Sequence, residues 1–176
     1  PSSAAFLIAL ALLTPKSKLV IDNILCNDTR IFFLKTLKKV NANIKIENLK
    51  NVSGENVGSV TVRGSKLKPI VISKDIGKLI DELPILFIIA ALTKGISKFK
   101  NVGDLKHKES NRLLEIKKIL VQAGIKCKIT KDSMIIYGED KIKTQNRSIA
   151  TQTKGDHRIS MSSVVFSLVT GMKNKI

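Results

Sequence analysis

Leu105-Lys106-His107-Lys108-Glu109-Ser110-Asn111-Arg112 runs directly into Leu113-Leu114-Glu115-Ile116-Lys117-Lys118-Ile119-Leu120-Val121. The second stretch puts Leu113, Ile116, Ile119 and Leu120 on one face of an amphipathic helix. The octet before it carries four cationic or potentially cationic groups and one carboxylate. The spacing predicts a helix over 108–123. Lys108 and Arg112 then become like-charged i,i+4 neighbours, which costs about 0.2–0.5 kcal/mol in an isolated helix. Both also lie at the positive end of the helix dipole, where cations are disfavoured. An anionic ligand reverses the sign of both penalties, because the free N–H groups of a helix start already attract anions. A lone Lys-x-x-x-Arg is better read as a solvated basic turn; the whole octet reads as an anion site.

Two further stretches matter: Leu79-Ile80-Asp81-Glu82-Leu83-Pro84-Ile85-Leu86 upstream, and Gly155-Asp156-His157-Arg158-Ile159-Ser160-Met161-Ser162 downstream. The octet resembles the L-R-V-K-E-S-D-R signature of the 5-enolpyruvylshikimate-3-phosphate (EPSP) synthase family. The upstream stretch resembles its I-D-E-x-P-x-L segment, and the downstream one its D-H-R-x-A-M segment. Weaker matches fill the gaps, at Ser2-Ser3-Ala4-Ala5-Phe6 and Asn27-Asp28-Thr29-Arg30. Three ordered signatures are more specific than any one. The resemblance covers essentially the whole chain but only the second half of the family's length.

Composition bounds the alternatives. The chain has 176 residues, enough for one domain with a real core. It is 43% hydrophobic, so global disorder is excluded. Aromatics are scarce at 4%, so the core is aliphatic. The net charge of +17 would suit a nucleic-acid binder. However, the lysines are spread along the chain and base-stacking aromatics are nearly absent, which argues against nucleic acid as a partner. Cys26 and Cys127 stand alone, without a CxxC or a histidine at ligand spacing, and read as reduced cytosolic thiols; a pairing between them stays open. The apolar run 6–13 lacks the basic leader and small-residue cleavage site of a signal peptide. That run and 85–92 are both far shorter than the about 20 residues of a membrane span, so no membrane association is expected. The opening inside a helix start, without Met, reads as a fragment or a processed form.

In order, the pattern predicts a helix over 2–13 with Ser2 or Ser3 as cap. A strand at 19–21 and a helix over 29–40, capped by Asp28 or Asn27, come next. Strands follow at 43–47 and 59–63 around a polar loop at 51–58. The order then recurs: a strand at 69–72, a helix over 82–93 with Pro84 tolerated in its first turn, a strand at 98–100, the helix over 108–123, and a strand pair at 125–129 and 134–137 turning at Lys131-Asp132-Ser133. A third round opens with a helix over 158–169. Ala11-Leu12-Leu13-Thr14 matches Ala90-Ala91-Leu92-Thr93, and Val40-Asn41-Ala42-Asn43-Ile44 matches Val121-Gln122-Ala123-Gly124-Ile125. Such a repeat implies stacked supersecondary units sharing a core. The resemblance implies the same α/β (α+β) fold: repeated βαβαββ units around a bundle of buried parallel helices. On that reading the chain is a partial C-terminal domain, with units at about 1–66, 67–140 and, truncated, 141–176, and with the family's N-terminal domain absent. Repeat symmetry would aim the three helix starts at Ser2-Ser3, Asp81-Glu82 and Asp156-His157-Arg158 the same way, making one face attractive to anions.

By local rules Asp81 is a helix cap, Glu82 a first-turn dipole residue and Asp156 a cap. Arg158, a cation in a first helical turn, points to function rather than surface. His157 is open between a proton carrier and a packed histidine. The resemblance adds roles. It implies that Asp81 contacts the substrate hydroxyl as its base and that Lys108 contacts shikimate 3-phosphate. Glu109 would move protons at the methylene of phosphoenolpyruvate, while Arg112 and Arg158 bind phosphoenolpyruvate, which Arg can grip bidentately. Asp104 lies near a substrate-contact position. The reaction implied is addition of the shikimate 5-hydroxyl to C2 of phosphoenolpyruvate, then loss of phosphate. It needs no metal and no organic cofactor. The expected setting is cytoplasmic, and the complete enzyme a monomer.

His107 stands where the family has an aliphatic residue, and Asn111 where it has Asp. The Lys-Ser-x-x-x-Arg, Gly-rich and Ser-Ser-Gln segments of the family's other domain are missing from this sequence, so the chain alone is expected to be inactive. Two rival readings stand beside it: the related UDP-N-acetylglucosamine enolpyruvyl transferase, against which Lys-Glu-Ser-x-Arg and Asp-His-Arg speak, and a non-catalytic remnant or basic nucleic-acid-binding module.

Overall fold

The computed structural model describes residues 3–27, 31–142, 144 and 147–176. Its contacts divide the chain into two compact units, Pro1–Leu67 and Lys68–Ile176.

In the first unit, α1 (Ala4–Leu13), β1 (Lys18–Leu25), α2 (Phe32–Lys39), β2 (Asn43–Val52) and β3 (Glu55–Arg63) follow in order. β3 lies between the other two strands and is antiparallel to both. α1 and α2 pack on the sheet around Leu37, Val60 and Val62, all fully buried. The predicted polar loop at 51–58 is instead the closed end of a long hairpin. Val52 pairs with Glu55, leaving a two-residue turn with Ser53 at φ 54° and Gly54 at φ 85°. Two left-handed residues match the twist of the flanking strands, and the Asn51 side-chain oxygen accepts from the Gly54 amide at 3.0 Å. The strand signal was hidden because this end is exposed on both faces, so nothing there alternates.

Other helix starts also differ from the local rules. Ser3 occupies the cap position of α1 but has helical dihedrals and makes no side-chain cap bond; Ser2 lies outside the described residues. The cap position of α2 is Ile31. Asn27 turns elsewhere, accepting from the Asn56 amide at 3.0 Å, and Asp28 lies outside the described residues.

The second unit repeats the arrangement with additions. β4 (Val71–Ile72) leads through a 3-10 turn to α3 (Leu83–Ala91), β5 (Gly95–Lys100), a second 3-10 turn (Gly103–His107), α4 (Arg112–Gln122), β6 (Cys127–Ile129) and β7 (Ser133–Gly138). The sheet order is β4-β5-β7-β6. Its last three strands repeat the order of the first unit, with the third strand of each set between and antiparallel to the other two. β8 (Ser148–Ala150) and β9 (Lys173–Lys175) pair in parallel across α5 (His157–Thr170). The short β8 and β9 carried no strand signal of their own, being only three residues each.

α3 is apolar all round, and every one of its residues is buried, as an all-hydrophobic helix requires. It packs on β7, α4 and α5. Phe87 meets Phe99 of β5 edge to face, with centroids 4.8 Å apart. Pro84 sits in the first turn, where its missing N–H has no partner to lose. The cap position is Glu82, which makes no side-chain cap bond. Asp81 therefore lies one residue further out than a capping role needs. α4 begins four residues later than predicted: Asn111 caps it by accepting from the Leu114 amide at 3.2 Å. Lys108 stays outside in extended backbone, φ −86° and ψ −169°. The like-charge helical pair with Arg112 therefore does not arise.

Candidate active site

The second unit brings together side chains from three separate segments: Asp81 before α3, Glu109 to Arg112 at the start of α4, and Asp156 to Arg158 at the start of α5. Arg112 is the centre. Its side chain is 1% exposed, although it occupies the first turn of a helix. Nε donates to Asp156 Oδ2 at 2.8 Å and Nη2 to Asp156 Oδ1 at 3.4 Å, a side-on bidentate grip. Nη2 also donates to Glu109 Oε2 at 2.6 Å, and Nη1 to Asp81 Oδ1 at 3.4 Å. Three carboxylates thus compensate a cation that the α4 dipole alone would disfavour.

Asp156 is fully buried. It caps α5 as the local pattern predicts, its Oδ1 accepting from the Arg158 amide at 3.0 Å. It does more than cap: Ser110 Oγ donates to its Oδ2 at 3.0 Å, alongside Arg112. Burial pushes the Asp156 carboxyl up; hydrogen bonds from Arg112 and Ser110, the Arg112 charge and the Arg158 amide outweigh that and hold it below the usual carboxylate range. Burial works against the Arg112 charge as well, and Asp156, Glu109 and Asp81 overcome it, raising its pKa further.

Arg158 is the second guanidinium of the cluster. Nη1 donates to the Asp81 backbone carbonyl at 2.7 Å, and Nη2 lies 3.5 Å from Asp81 Oδ2. The starts of α3 and α5 therefore meet through one aspartate, whose carboxylate reaches both arginines. The Asp81 side chain is 45% exposed and that of Glu109 58%. Both stand between the buried arginine and solvent.

Of the residues singled out in the sequence, Asp81, Glu109, Arg112 and Arg158 converge. Lys108 is next to them in sequence, exposed, and makes no ion pair with the cluster. Asp104 sits on the 3-10 turn, also exposed and outside the cluster's hydrogen bonds. His157 is the first residue of α5 and exposed, so the packed alternative for it falls away. The roles of Asp156 in holding Arg112 and of Ser110 were missed. The only hint was a cap aspartate that had to be buried, and a buried cap needs further donors. Among the described residues no group of three or more His, Cys, Asp or Glu side chains is arranged to hold a metal ion. Both cysteines are free thiols. Burial raises the pKa of each against the weaker opposing influences of the Gly58 backbone at Cys26 and of Lys117 at Cys127, which keeps them poor nucleophiles.

The family model for EPSP synthase (3-phosphoshikimate 1-carboxyvinyltransferase) matches residues 1–176. The chain belongs to the EPSP synthase family. The 3-phosphoshikimate 1-carboxyvinyltransferase of Clostridium tetani is 39% identical over 162 residues, which are 92% of this chain and 36% of that protein. That of Helicobacter pylori is 36% identical over 174 residues, 96% of this chain and 40% of the relative. The crystal structure of EPSP synthase from Acinetobacter baumannii superposes with a TM-score of 0.88 at 32% identity, over 97% of this chain and 40% of the other. The enolpyruvyl transferase NikO from Streptomyces tendae shares the fold alone, with a TM-score of 0.62 at 13% identity. The EPSP synthase-like α/β fold anticipated from the three signatures is thereby present, and the chain spans about two fifths of the length of the EPSP synthases it matches. No helix among the described residues is long and apolar enough to cross a membrane.

Proposed function

We propose that this chain carries the anion-gripping part of an enzyme that transfers the enolpyruvyl group of phosphoenolpyruvate to the 5-hydroxyl of shikimate 3-phosphate. One observation carries the reading. Two guanidiniums from two helix starts, Arg112 and Arg158, share the half-exposed carboxylate of Asp81, with Glu109 2.6 Å from the outer edge of Arg112. That arrangement supplies a cationic grip, a base and a second acid–base group side by side. Arg112 and Arg158 bind the carboxylate and phosphate of phosphoenolpyruvate. Lys108, exposed and extended beside them, reaches the phosphate of the co-substrate. Asp81 takes the proton of the 5-hydroxyl as its oxygen bonds to C2 of phosphoenolpyruvate, and Glu109 delivers a proton to C3. The tetrahedral adduct then gives back a C3 proton and releases inorganic phosphate, restoring the double bond. His157 and Asp104, both exposed, are the further residues offered for substrate contact. The two free thiols fit a reducing, cytoplasmic setting.

The repeat of strand order between the two units supports reading them as successive copies of one βαβαββ unit. Catalysis also calls for groups that this chain does not carry, supplied by further polypeptide in cis or by another chain in trans. The test is phosphate release from phosphoenolpyruvate and shikimate 3-phosphate, by this chain alone and mixed with the complementary segment of a full-length relative. Release only in the mixture is expected, abolished by Arg112→Ala. Absence of release in the mixture, with no binding of either substrate by calorimetry, would overturn the proposal.

A further inference from the structure

Glu115 is the other buried charge on α4, and the chemistry above does not use it. Its side chain is 2% exposed, three residues after Arg112. An isolated buried carboxylate is strongly disfavoured, and Glu115 has two partners. Lys118 Nζ lies 3.1 Å from Oε1, on the same helix, and so links α4 only to itself. Lys154 Nζ lies 3.4 Å from the same oxygen and comes from the segment that leads into α5.

The backbone of that segment is demanding. Lys154 has φ 50° and the following Gly155 φ 80°, two left-handed residues in succession. Glycine tolerates this freely; lysine does not. The turn delivers Asp156, whose amide donates to the Thr153 carbonyl at 2.8 Å and whose carboxylate grips Arg112. At the other end of the segment, the Gln122 side chain accepts from the Ala150 amide at 2.8 Å and donates to the Ala150 carbonyl at 3.2 Å. Three side chains of α4 therefore hold the segment from β8 to α5 at successive points: Gln122 at Ala150, Glu115 at Lys154, and Arg112 at Asp156. The middle tie is the one that faces the strained turn.

We propose that Glu115 is a positioning residue, which fixes the Lys154–Gly155 turn through Lys154 and so sets Asp156 against Arg112. It touches no substrate; its effect on anion binding rests on the reading of Arg112 and Arg158 given above. Tertiary rather than helical logic accounts for its place, since an exposed Glu–Lys pair on α4 would not require burial of the carboxylate.

The test is hydrogen exchange at the Asp156 and Arg158 amides of the full chain, with Glu115→Gln, Lys154→Met, Lys154→Arg and Lys118→Met. Glu115→Gln and Lys154→Met should each accelerate exchange there about fivefold, the factor that corresponds to the upper end of the range for partly exposed ion pairs. The double variant should be no faster than either single one. Lys118→Met and Lys154→Arg should keep wild-type protection. Unchanged exchange in Lys154→Met, or equal acceleration by Lys118→Met, would overturn the proposal. Because Lys154 is exposed, Lys154→Met folds even where Glu115→Gln does not. A parallel titration with phosphoenolpyruvate separates the two readings. Weakened binding in Lys154→Met, rescued by Lys154→Arg, supports both. If wild type shows no binding while the exchange pattern holds, the anion-site reading fails and the positioning role stands.

Discussion

Arg112 has three acidic partners, but they differ in what their removal does, because they differ in burial. Asp156 is fully buried, and Asp156→Asn leaves the enclosed guanidinium without its bidentate acceptor. Breaking a buried ion pair on one side typically destabilises by about 3–5 kcal/mol, and a loss of that order is expected from urea unfolding. Glu109 touches the same arginine at shorter range, yet its side chain is 58% exposed. Glu109→Gln should change stability by less than about 1 kcal/mol while abolishing phosphate release by the complete enzyme. Asp156 also sets an acid limit. Its folded carboxyl titrates below the unfolded value of about 3.9, so between the two values the unfolded chain binds more protons. Its contribution is complete above about pH 4 and is lost as pH falls through the lower folded value. Unfolding midpoints measured across that window should fall with acid in wild type and fall less steeply in Asp156→Asn.

At the scale of elements, the start of α4 decides where Lys108, Glu109 and Arg112 go. Asn111 ends the extended stretch and caps the helix, so Lys108 lies outside it while Arg112 enters the first turn. Asn111→Ala should cost about 1 kcal/mol, and Asn111→Asp, which keeps the acceptor, should cost almost nothing; thermal midpoints would show the contrast. The position of α3 against its sheet is set from the other side by Gly138 at the end of β7. A Cβ there would strike the carbonyl oxygens of Ala90 and Thr93 at the close of α3. Backbone cannot give way as a flexible side chain can, so Gly138→Ala should destabilise the second unit by roughly 1–3 kcal/mol, measurable by denaturant unfolding.

At the scale of the molecule, two units of the same strand order follow each other, and the four converging site residues belong to the second. The chain spans about two fifths of its relatives' length, so substrate binding and turnover are separate questions. On the proposed reading, binding of phosphoenolpyruvate depends on Arg112 and Arg158, both present here. Turnover, on the same reading, needs complementary residues as well. Titration calorimetry on the chain and its Arg158→Ala variant should therefore show weak phosphoenolpyruvate binding that the variant loses, even where neither releases phosphate.

The sequence by itself determined the family and the mixed fold, and it singled out four charged residues that the fold brings together, because those depend on short-range patterns. Apolar periodicity marked α4, Pro84 marked the first turn of α3, and three signatures kept their order. Local rules also flagged Arg112 and Arg158 as cations in unfavourable first turns. What resolved that conflict lies far away in sequence: Asp156 for Arg112, beyond α4 and three strands, and Asp81 for both. The hairpin at Ser53–Gly54 was equally invisible, since its exposed strands carry no alternation. Nothing in the linear pattern marked the carboxylate of Glu115 as buried, with a lysine three residues on. Only tertiary structure brought Lys154 to it, because burial of a charge is decided by which segments pack together, and a linear pattern does not contain that.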